Sequence, residues 1–196
     1  MAFYIIKQKQ ESNYEIKKSR FIASIMPCET EQKAMQHLQL LANQHPNANH
    51  LAFAWRIRRN DGSIIERCHD AGEPSGTAGR PILAPLEGQS IINTVIGVIR
   101  YFGGVKLGKG GLTRAYGTAA KLAIKQADLY PWVDMIDVQL TIDYSELQPL
   151  QYHLKQCDGT ISHQVFNERV DLTVHLPAKQ KEQLLHKFTQ TGNNIT

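Results

Sequence analysis

The stretch that decides the fold is residues 101–117, which reads YFGGVKLGKGGLTRAYG. An almost continuous apolar run, residues 93–102, leads into it and predicts a central strand covered on both faces. Apolar residues at helical spacing predict a helix over residues 112–127. The glycine-rich segment therefore lies between a buried strand and the start of a helix. Free backbone N–H groups and the positive end of the helix dipole favour an anion at such a position.

The glycine-rich segment is a near match to the phosphate-binding P-loop. Gly103, Gly108 and Lys109 have the P-loop spacing, but Gly110 stands where a Ser or Thr would coordinate Mg²⁺. We interpret the segment as a phosphate-binding loop, and the missing hydroxyl indicates that the phosphate belongs to a polymer. The alternative is that the glycines only permit tight packing of the backbone.

Charge is distributed unevenly along the chain. Its 196 residues carry a net charge of +4. Residues 1–132 hold 17 Lys and Arg against 10 Asp and Glu, a balance of +7, whereas residues 133–196 hold 5 against 8, a balance of −3. The hydrophobic pattern restarts after Pro131, so we predict a basic N-terminal domain, residues 1–132, and an acidic C-terminal domain, residues 133–196. A basic domain favours a polyanionic partner.

The composition, 42% hydrophobic and 20% charged, is that of an ordinary soluble globular protein. Residues 1–7 do not show the long apolar region and small-residue cleavage site that are typical of a signal peptide, and no apolar run approaches the roughly 20 residues of a membrane span. We therefore predict a cytoplasmic protein that makes no membrane contact. Cys28, Cys68 and Cys157 include no C-x-x-C pair, which favours reduced, buried thiols over disulfides or a zinc site.

Periodicity predicts the other elements of the first domain. They are a strand at residues 2–6, a helix at 34–42 that ends before Pro46, a strand at His50–Arg58, a hairpin turn at 60–62 and an irregular loop at 69–81. Apolar and basic residues alternate along His50–Arg58, so we expect one buried face and one basic face.

The second domain shows the order strand, helix, strand, strand, helix, which is most of a ferredoxin-like sandwich. Ser145 and Gln148 have the spacing of a capping box for its first helix. Pro177 opens the last helix, which we expect to extend to Gly192. The predicted fold class is α+β, with two two-layer α/β sandwich domains.

Basic residues interleaved with aromatic residues are the candidates for the phosphate contacts, because cations neutralise phosphates and rings stack on bases. The predicted phosphate-binding residues are Arg56, Arg58, Arg100, Lys106, Lys109 and Arg114. The residues expected to shape the surrounding loops are Glu73, Ser75, Gly76, Thr77, Gly79, Arg80, Gly103, Gly104, Gly108, Gly110 and Gly111.

We predict no catalytic residue, metal or cofactor. Ser75 follows a proline and is displaced from the position of a nucleophile elbow. His69, Asp70 and Glu73 have no second cluster of ligands nearby, so we expect them to bond the backbone of their own loop. We assign His50 no catalytic role, since histidine in a strand is more often structural.

Three long motifs resemble the IMPACT/YigZ family, and in particular its bacterial members. They are SRFIA at residues 19–23, AGEPSGTAGRPIL at residues 71–83 and RYFGGVKLGKGGLTRAYGTA at residues 100–119. The resemblance covers essentially the whole chain. It departs at His69 and Ala71, where the family usually has acidic residues, which argues against a cation site in that loop.

The resemblance implies an N-terminal domain similar to domain IV of elongation factor G and to a ribosomal protein domain, and a ferredoxin-like C-terminal domain. Both relatives contact ribosomal RNA. Eukaryotic members of the family regulate translation through protein contacts, and some bacterial members carry a peptidase label that no residue here supports. Similarity of fold does not by itself fix the function.

The sequence favours a non-enzymatic RNA- or ribosome-binding protein that modulates translation. Phosphates would lie in a basic groove of the N-terminal domain, and the acidic C-terminal domain would orient it or contact a protein. Two alternatives stay open. One is an enzyme that binds a nucleotide or phosphorylated metabolite at the glycine-rich loop, and the other is a regulatory module that binds only protein.

Overall fold

The apolar segment Thr94–Tyr101 forms the central strand of a five-stranded antiparallel sheet. The computed structural model describes residues 2–189, and the chain divides into two compact units between Trp132 and Val133. Each unit has a hydrophobic core. Within the described residues, no helix is long and apolar enough to cross a membrane.

The N-terminal unit is built around this sheet. Its described elements are β1 (Tyr4–Ile5), β2 (Gln10–Ile16), β3 (Ser19–Pro27), α1 (Glu31–Gln44), β4 (His50–Arg58), β5 (Ile64–His69), α2 (Gly79–Gly88), β6 (Thr94–Tyr101), α3 (Gly108–Gln126) and β7 (Tyr130–Pro131). The strand order in the sheet is β2-β3-β6-β4-β5, and every neighbouring pair is antiparallel. Strands β1 and β7 pair separately.

Helices cover both faces of this sheet. Leu38 and Leu41 of α1 lie against Gly97 of β6 on one face. On the other face, Tyr116 of α3 makes an edge contact with the ring of Phe21, and α2 lies beside α3. The N-terminal unit therefore has three layers rather than the predicted two. The physical reason is that β6 is apolar on both of its faces, so both must be shielded from water.

The predicted basic face of β4 is an interior face. Ala52 and Ala54 belong to the core under α2 and α3. The guanidinium of Arg56, on the same face, is buried: its Nε donates to Oε1 of Glu66 at 2.7 Å, and its Nη1 donates to the carbonyls of Leu86 and Ile91, each at 3.2 Å. This corrects the expectation of an exposed basic face, because protein acceptors satisfy the arginine.

Helix α2 begins inside the segment that we expected to be an irregular loop. Gly79 is its first residue, and Pro81 lies in its first turn, where a missing N–H costs nothing because that group has no partner within the helix. The proline that suggested a loop is therefore compatible with a helix start.

The three cysteines occupy different environments. Cys28 is buried, and burial, with a smaller contribution from the charge of Glu29, raises the pKa of its thiol to about 12. Cys68 on β5 is exposed and Cys157 is half-buried. All three thiols are free. The expectation of buried thiols therefore holds only for Cys28.

His37 makes the stability of this unit depend on pH. It is buried on α1 with Nε2 at 3.3 Å from Oγ of Ser24, and burial, assisted by the charge of Lys9, lowers its pKa from 6.5 to about 4. The folded state thus binds the proton more weakly than the unfolded state. The resulting stabilisation is complete above pH 6.5 and is lost as the pH falls towards 4.

We expect a loss of about 3 kcal/mol from this group across that window. Urea unfolding of the wild type and of His37→Gln measures it, followed by tryptophan fluorescence, to which the buried Trp55 contributes. The curve of free energy against pH should be flatter for His37→Gln. Parallel curves for the two proteins would contradict the assignment.

The C-terminal unit is a sheet with two helices on one face. Its described elements are β8 (Met135–Ile142), α4 (Leu147–Gln156), β9 (Thr160–Phe166), β10 (Val170–Pro177) and α5 (Lys181–Thr189). The strand order is β8-β10-β9, and β10 is antiparallel to both neighbours. Leu150, Leu154, Leu184 and Phe188 of the two helices pack on the sheet. A parallel pair of strands split by an antiparallel third is the arrangement of a split β-α-β unit.

The first helix of this unit starts with a capping box, but not the predicted one. Asp143 and Glu146 form the box, and a short 3₁₀ turn at Tyr144–Glu146 leads into α4. Ser145 and Gln148 have the right spacing, but the chain enters the helical turn two residues earlier. The predicted end of the last helix, Gly192, lies outside the described residues.

Candidate functional site

One end of the five-stranded sheet brings together five separate chain segments. They are the tip of the β2–β3 hairpin, the start of β4, the end of β6, the loop between β5 and α2, and the N-terminus of α3. The register places His50 opposite Arg100, and Arg20 opposite Tyr101. Side chains that are distant in sequence therefore meet at this end of the sheet.

A buried polar cluster lies at the centre of this end. Oε1 of Glu73 accepts hydrogen bonds from Nη1 of Arg100 at 2.6 Å and from Oη of Tyr116 at 2.8 Å. The side chains of Arg100 and Glu73 are only 6% and 4% exposed. Burial and the hydrogen bond to Glu73 raise the pKa of Tyr116 far above its ordinary value. The phenol therefore stays protonated and acts as a donor.

His50 lies beside this cluster in a defined orientation. Its Nδ1 is 2.8 Å from the carbonyl of Ala71, and because a carbonyl only accepts, Nδ1 must carry a proton. Its Nε2 then faces Oε1 of Glu73 at 3.8 Å. The loop between β5 and α2 thus fixes both the position and the tautomer of the imidazole.

Asp70 holds the loop that carries Glu73. Its carboxylate accepts hydrogen bonds from the backbone N–H groups of Gly76, Ala78 and Gly79, at 2.8 to 2.9 Å, and so caps the start of α2. Burial acts to raise the pKa of Asp70, but these three hydrogen bonds outweigh it and lower the pKa below its ordinary value. The prediction that Asp70 bonds the loop backbone is confirmed. Glu73 instead reaches into the core.

A cavity of about 450 Å³ opens beside the buried cluster. This volume is in the range of small-ligand pockets. Its lining residues are Asn49, His50, Glu73, Pro74, Arg100, Phe102, Lys106, Leu107, Gly108, Lys109 and Leu112. Apolar atoms form most of the accessible wall. The buried pair of Glu73 and Arg100 lies on one side, and the exposed Lys106 and Lys109 lie at the rim.

The N-terminus of α3 contributes backbone donors to the same cavity. The helix begins at Gly108 without a side-chain cap, so its first N–H groups have no partner in the helix. Gly104 and Gly108 have φ of +84° and +70°, values that favour glycine. Gly110 and Gly111 belong to the first helical turn. The glycine-rich segment is therefore shorter as a loop than the sequence suggested.

Gly103 is required by packing rather than by a ligand. A Cβ at this position would overlap the backbone of Lys18 and Ser19 at the tip of the β2–β3 hairpin. Its N–H also donates to Oγ of Ser19 at 3.1 Å. The alternative interpretation, that the glycines permit close packing, thus applies to Gly103.

The predicted phosphate-binding residues have different environments. The guanidinium of Arg56 donates hydrogen bonds to Glu66 and to two carbonyls. Arg58 donates to the carbonyl of Gly62 and stacks over the ring of Trp132 at 4.5 Å. Arg114 is exposed beside a second cavity, of about 630 Å³, between α2 and α3. Only the other three line the first cavity: Arg100, Lys106 and Lys109.

The predicted loop-shaping residues between Ser75 and Arg80 also differ in exposure and in their contacts. Ser75 is exposed, Gly76 has φ of +76°, and the hydroxyl of Thr77 donates to the carbonyl of Pro74 at 2.6 Å. A Cβ on Gly79 would lie 2.6 Å from the backbone nitrogen of His69. Arg80 is exposed and pairs with Glu87 at 3.0 Å.

Sequence reasoning missed several residues of this end of the sheet. Tyr116 is one of the aromatic residues interleaved with the basic residues, but no pattern in the sequence indicates its hydrogen bond to Glu73. The basic run KKSR at residues 17–20 was a usable signal, because a hairpin tip next to the glycine segment would place Lys17, Lys18 and Arg20 beside the site. All three are exposed.

Comparison with known proteins identifies the family. The model of the Impact N-terminal domain matches residues 17–124, and a domain of unknown function, DUF1949, matches residues 140–194. The chain therefore belongs to the IMPACT family.

Its relatives include IMPACT family member YvyE of Bacillus subtilis, which is 32% identical over 98% of this chain and 88% of its own length. IMPACT family member YigZ of Escherichia coli is 37% identical over 84% of this chain and 80% of its own length. A crystal structure described as that of a hypothetical protein is similar with a TM-score of 0.73, at 32% identity, over 99% of this chain and 96% of the other.

Proposed function

We propose that the protein binds RNA through the N-terminal unit and thereby modulates translation. The observation that carries this proposal is the cavity at the N-terminus of α3, with Lys106 and Lys109 exposed at its rim and an exposed aromatic side chain beside them. Membership of the IMPACT family supports a role in translation.

The charge at this end of the sheet suits a polyanion. Two exposed lysines, Lys106 and Lys109, line the cavity, and three further exposed cations lie in the β2–β3 hairpin at the same end of the sheet: Lys17, Lys18 and Arg20. None of them forms an ion pair with a carboxylate among the described residues. Each is therefore free to neutralise a phosphate and to release a counterion on binding.

Phe102 supplies the second property of a nucleic-acid surface. Its side chain follows the central strand directly and is 46% exposed, although it is large and apolar. Its ring centroid is 5.5 Å from Cζ of Arg100. A half-exposed ring between cations is suited to stack on an unpaired base.

We propose that the N-terminal unit is related to domain IV of elongation factor G, that the C-terminal unit is a ferredoxin-like domain that contacts a protein, and that the ribosome in the cytoplasm is the site of action. The split β-α-β order of the C-terminal strands supports the ferredoxin-like assignment.

Removing the two rim lysines should weaken RNA binding. In Lys106→Ala/Lys109→Ala we expect about a tenfold loss of affinity for a single-stranded RNA, and the slope of log affinity against log salt should fall by about 1.4, that is 0.7 for each lost contact. Fluorescence anisotropy between about 50 and 200 mM salt measures both quantities. Co-sedimentation with ribosomes tests the same variant on the proposed target.

The matched control is Lys121→Ala/Lys125→Ala. It removes two exposed lysines from the other end of the same helix, so the net charge changes equally. Its affinity should stay within about twofold of the wild type. If both double variants lose affinity equally, binding depends on net charge and not on this site. If the wild type binds neither RNA nor ribosomes, the proposed function is wrong.

A further inference from the structure

The guanidinium of Arg100 has unused binding capacity. Its Nη1 donates to Glu73, but its Nε has no hydrogen-bond partner although it is buried, and no acceptor among the described residues reaches Nη2. A buried N–H without an acceptor is costly and therefore uncommon in folded proteins. The unsatisfied edge of this side chain thus indicates a missing partner.

The unused edge has a specific chemistry. Nε and Nη2 lie on the same side of the guanidinium and together form a fork that binds a carboxylate or a phosphate through two parallel hydrogen bonds. Arg56 provides a comparison within the same sheet, because its Nε and Nη1 are saturated by Glu66 and by two carbonyls. Burial of an arginine in this fold does not by itself leave a fork open.

The surroundings of the fork select a phosphate. Arg100 lines the cavity of about 450 Å³, and the uncapped N-terminus of α3 lines the same cavity with Lys106 and Lys109 at the rim. An anion there would meet backbone N–H groups, the positive end of a 19-residue helix and two mobile cations. A terminal phosphate has a larger negative charge and more acceptor oxygens than a carboxylate or a bridging phosphodiester, so it uses more of these donors.

We propose that this cavity is a binding site for a phosphate monoester, either the 5′-phosphorylated end of an RNA or a free mononucleotide. The inference rests on the proposed function in that both use Lys106 and Lys109. It adds the claim that the ligand's terminal phosphate is recognised by Arg100. The apolar walls formed by Pro74, Phe102, Leu107 and Leu112 accommodate the attached base and sugar.

The first test uses the wild-type protein. The side-chain Nε–H signal of Arg100, assigned from its loss in Arg100→Lys, is followed by NMR during titration with adenosine monophosphate, with adenosine and with inorganic phosphate. We expect a saturable shift with adenosine monophosphate, a weaker one with inorganic phosphate and none with adenosine. An unchanged Nε–H signal in all three titrations would overturn the inference.

The second test compares two RNA oligonucleotides of one sequence that carry a 5′-phosphate or a 5′-hydroxyl. We expect the wild type to prefer the phosphorylated end by about tenfold, the scale of a charge-assisted hydrogen bond. Arg100→Lys keeps a positive charge beside Glu73 but lacks the fork, so the ratio of its affinities for the two oligonucleotides should fall to about one. Arg80→Lys, an exposed arginine of α2, is the control and should behave as the wild type.

The outcomes separate this inference from the proposed function. Equal binding of both oligonucleotides would leave the RNA-binding proposal standing and overturn the inference. Binding of adenosine monophosphate without binding of either oligonucleotide would support the site, with a free nucleotide as its ligand, and overturn the RNA-binding proposal. If no ligand binds, both are wrong.

Discussion

Gly103→Ala is expected to destabilise the N-terminal unit by at least about 3 kcal/mol, the upper range for forcing extra atoms into a packed site. The added Cβ would overlap the backbone of Lys18 and Ser19. Backbone atoms cannot rotate away as a side chain would, so the hairpin tip must separate from the end of β6. Urea unfolding followed by tryptophan fluorescence should show a lower midpoint with an unchanged slope.

Gly110→Ala is the matched control for this substitution. Gly110 lies in the first turn of α3, and its Cβ would meet only Nη1 of Arg114, at 3.7 Å. Because alanine is a better helix former, we expect a gain of up to about 1 kcal/mol. Gly103→Ala and Gly110→Ala should therefore give effects of opposite sign. A loss below about 1 kcal/mol in Gly103→Ala would mean that the hairpin is not held against this segment.

Glu73→Ala is expected to cost about 3 to 5 kcal/mol of stability, because it leaves Arg100 buried without its counter-charge. The same substitution removes the acceptor of the Tyr116 hydroxyl, which is also buried. The unfolding free energy measures the cost. Glu73→Gln, which retains an acceptor oxygen, should lose less than Glu73→Ala.

A double variant tests whether this cost comes from the unpaired charge. In Glu73→Leu/Arg100→Met both charges are absent, and we expect much of the stability to return, since apolar residues often replace a buried ion pair without loss. The exposed pair of Arg80 and Glu87 is the control, and Arg80→Ala should cost no more than about 1 kcal/mol. If Glu73→Ala costs no more than Arg80→Ala, the buried pair does not stabilise the fold.

Helices and strands whose signals come from residues close together in the sequence were predicted well. The central strand expected at residues 93–102 is found at Thr94–Tyr101, and the strand expected at His50–Arg58 has those bounds. The helix predicted to end before Pro46 ends at Gln44. Each of these elements follows from apolar periodicity and from the backbone limits of proline, which are local properties of the chain.

The same local patterns gave wrong predictions where a segment that is distant in the sequence determines the structure. Alternation along β4 correctly separated its two faces, but it could not show that α2 covers the basic one. Pro81 suggested a loop, although a proline in the first turn of a helix is compatible with that helix. The position of the capping box also depends on where the chain leaves β8, and the spacing of Ser145 and Gln148 does not indicate that point.

The sequence by itself determined the family, the main elements of the core, and a glycine-rich helix start next to the central strand. Only the tertiary structure decided which charges are available for a ligand. Glu73 is 27 residues from Arg100 and 43 from Tyr116, and they meet because the sheet register and the loop capped by Asp70 bring them together.

Arg56 and Arg100 show the physical reason most clearly. Both are arginines on strands next to one another, and no local sequence pattern distinguishes them. In the fold, Nε and Nη1 of Arg56 donate to Glu66 and to two carbonyls, whereas Nε of Arg100, which lines a cavity, has no acceptor. The fate of a charged group depends on which acceptors the whole fold places within hydrogen-bond distance, and that is not a local property of the chain.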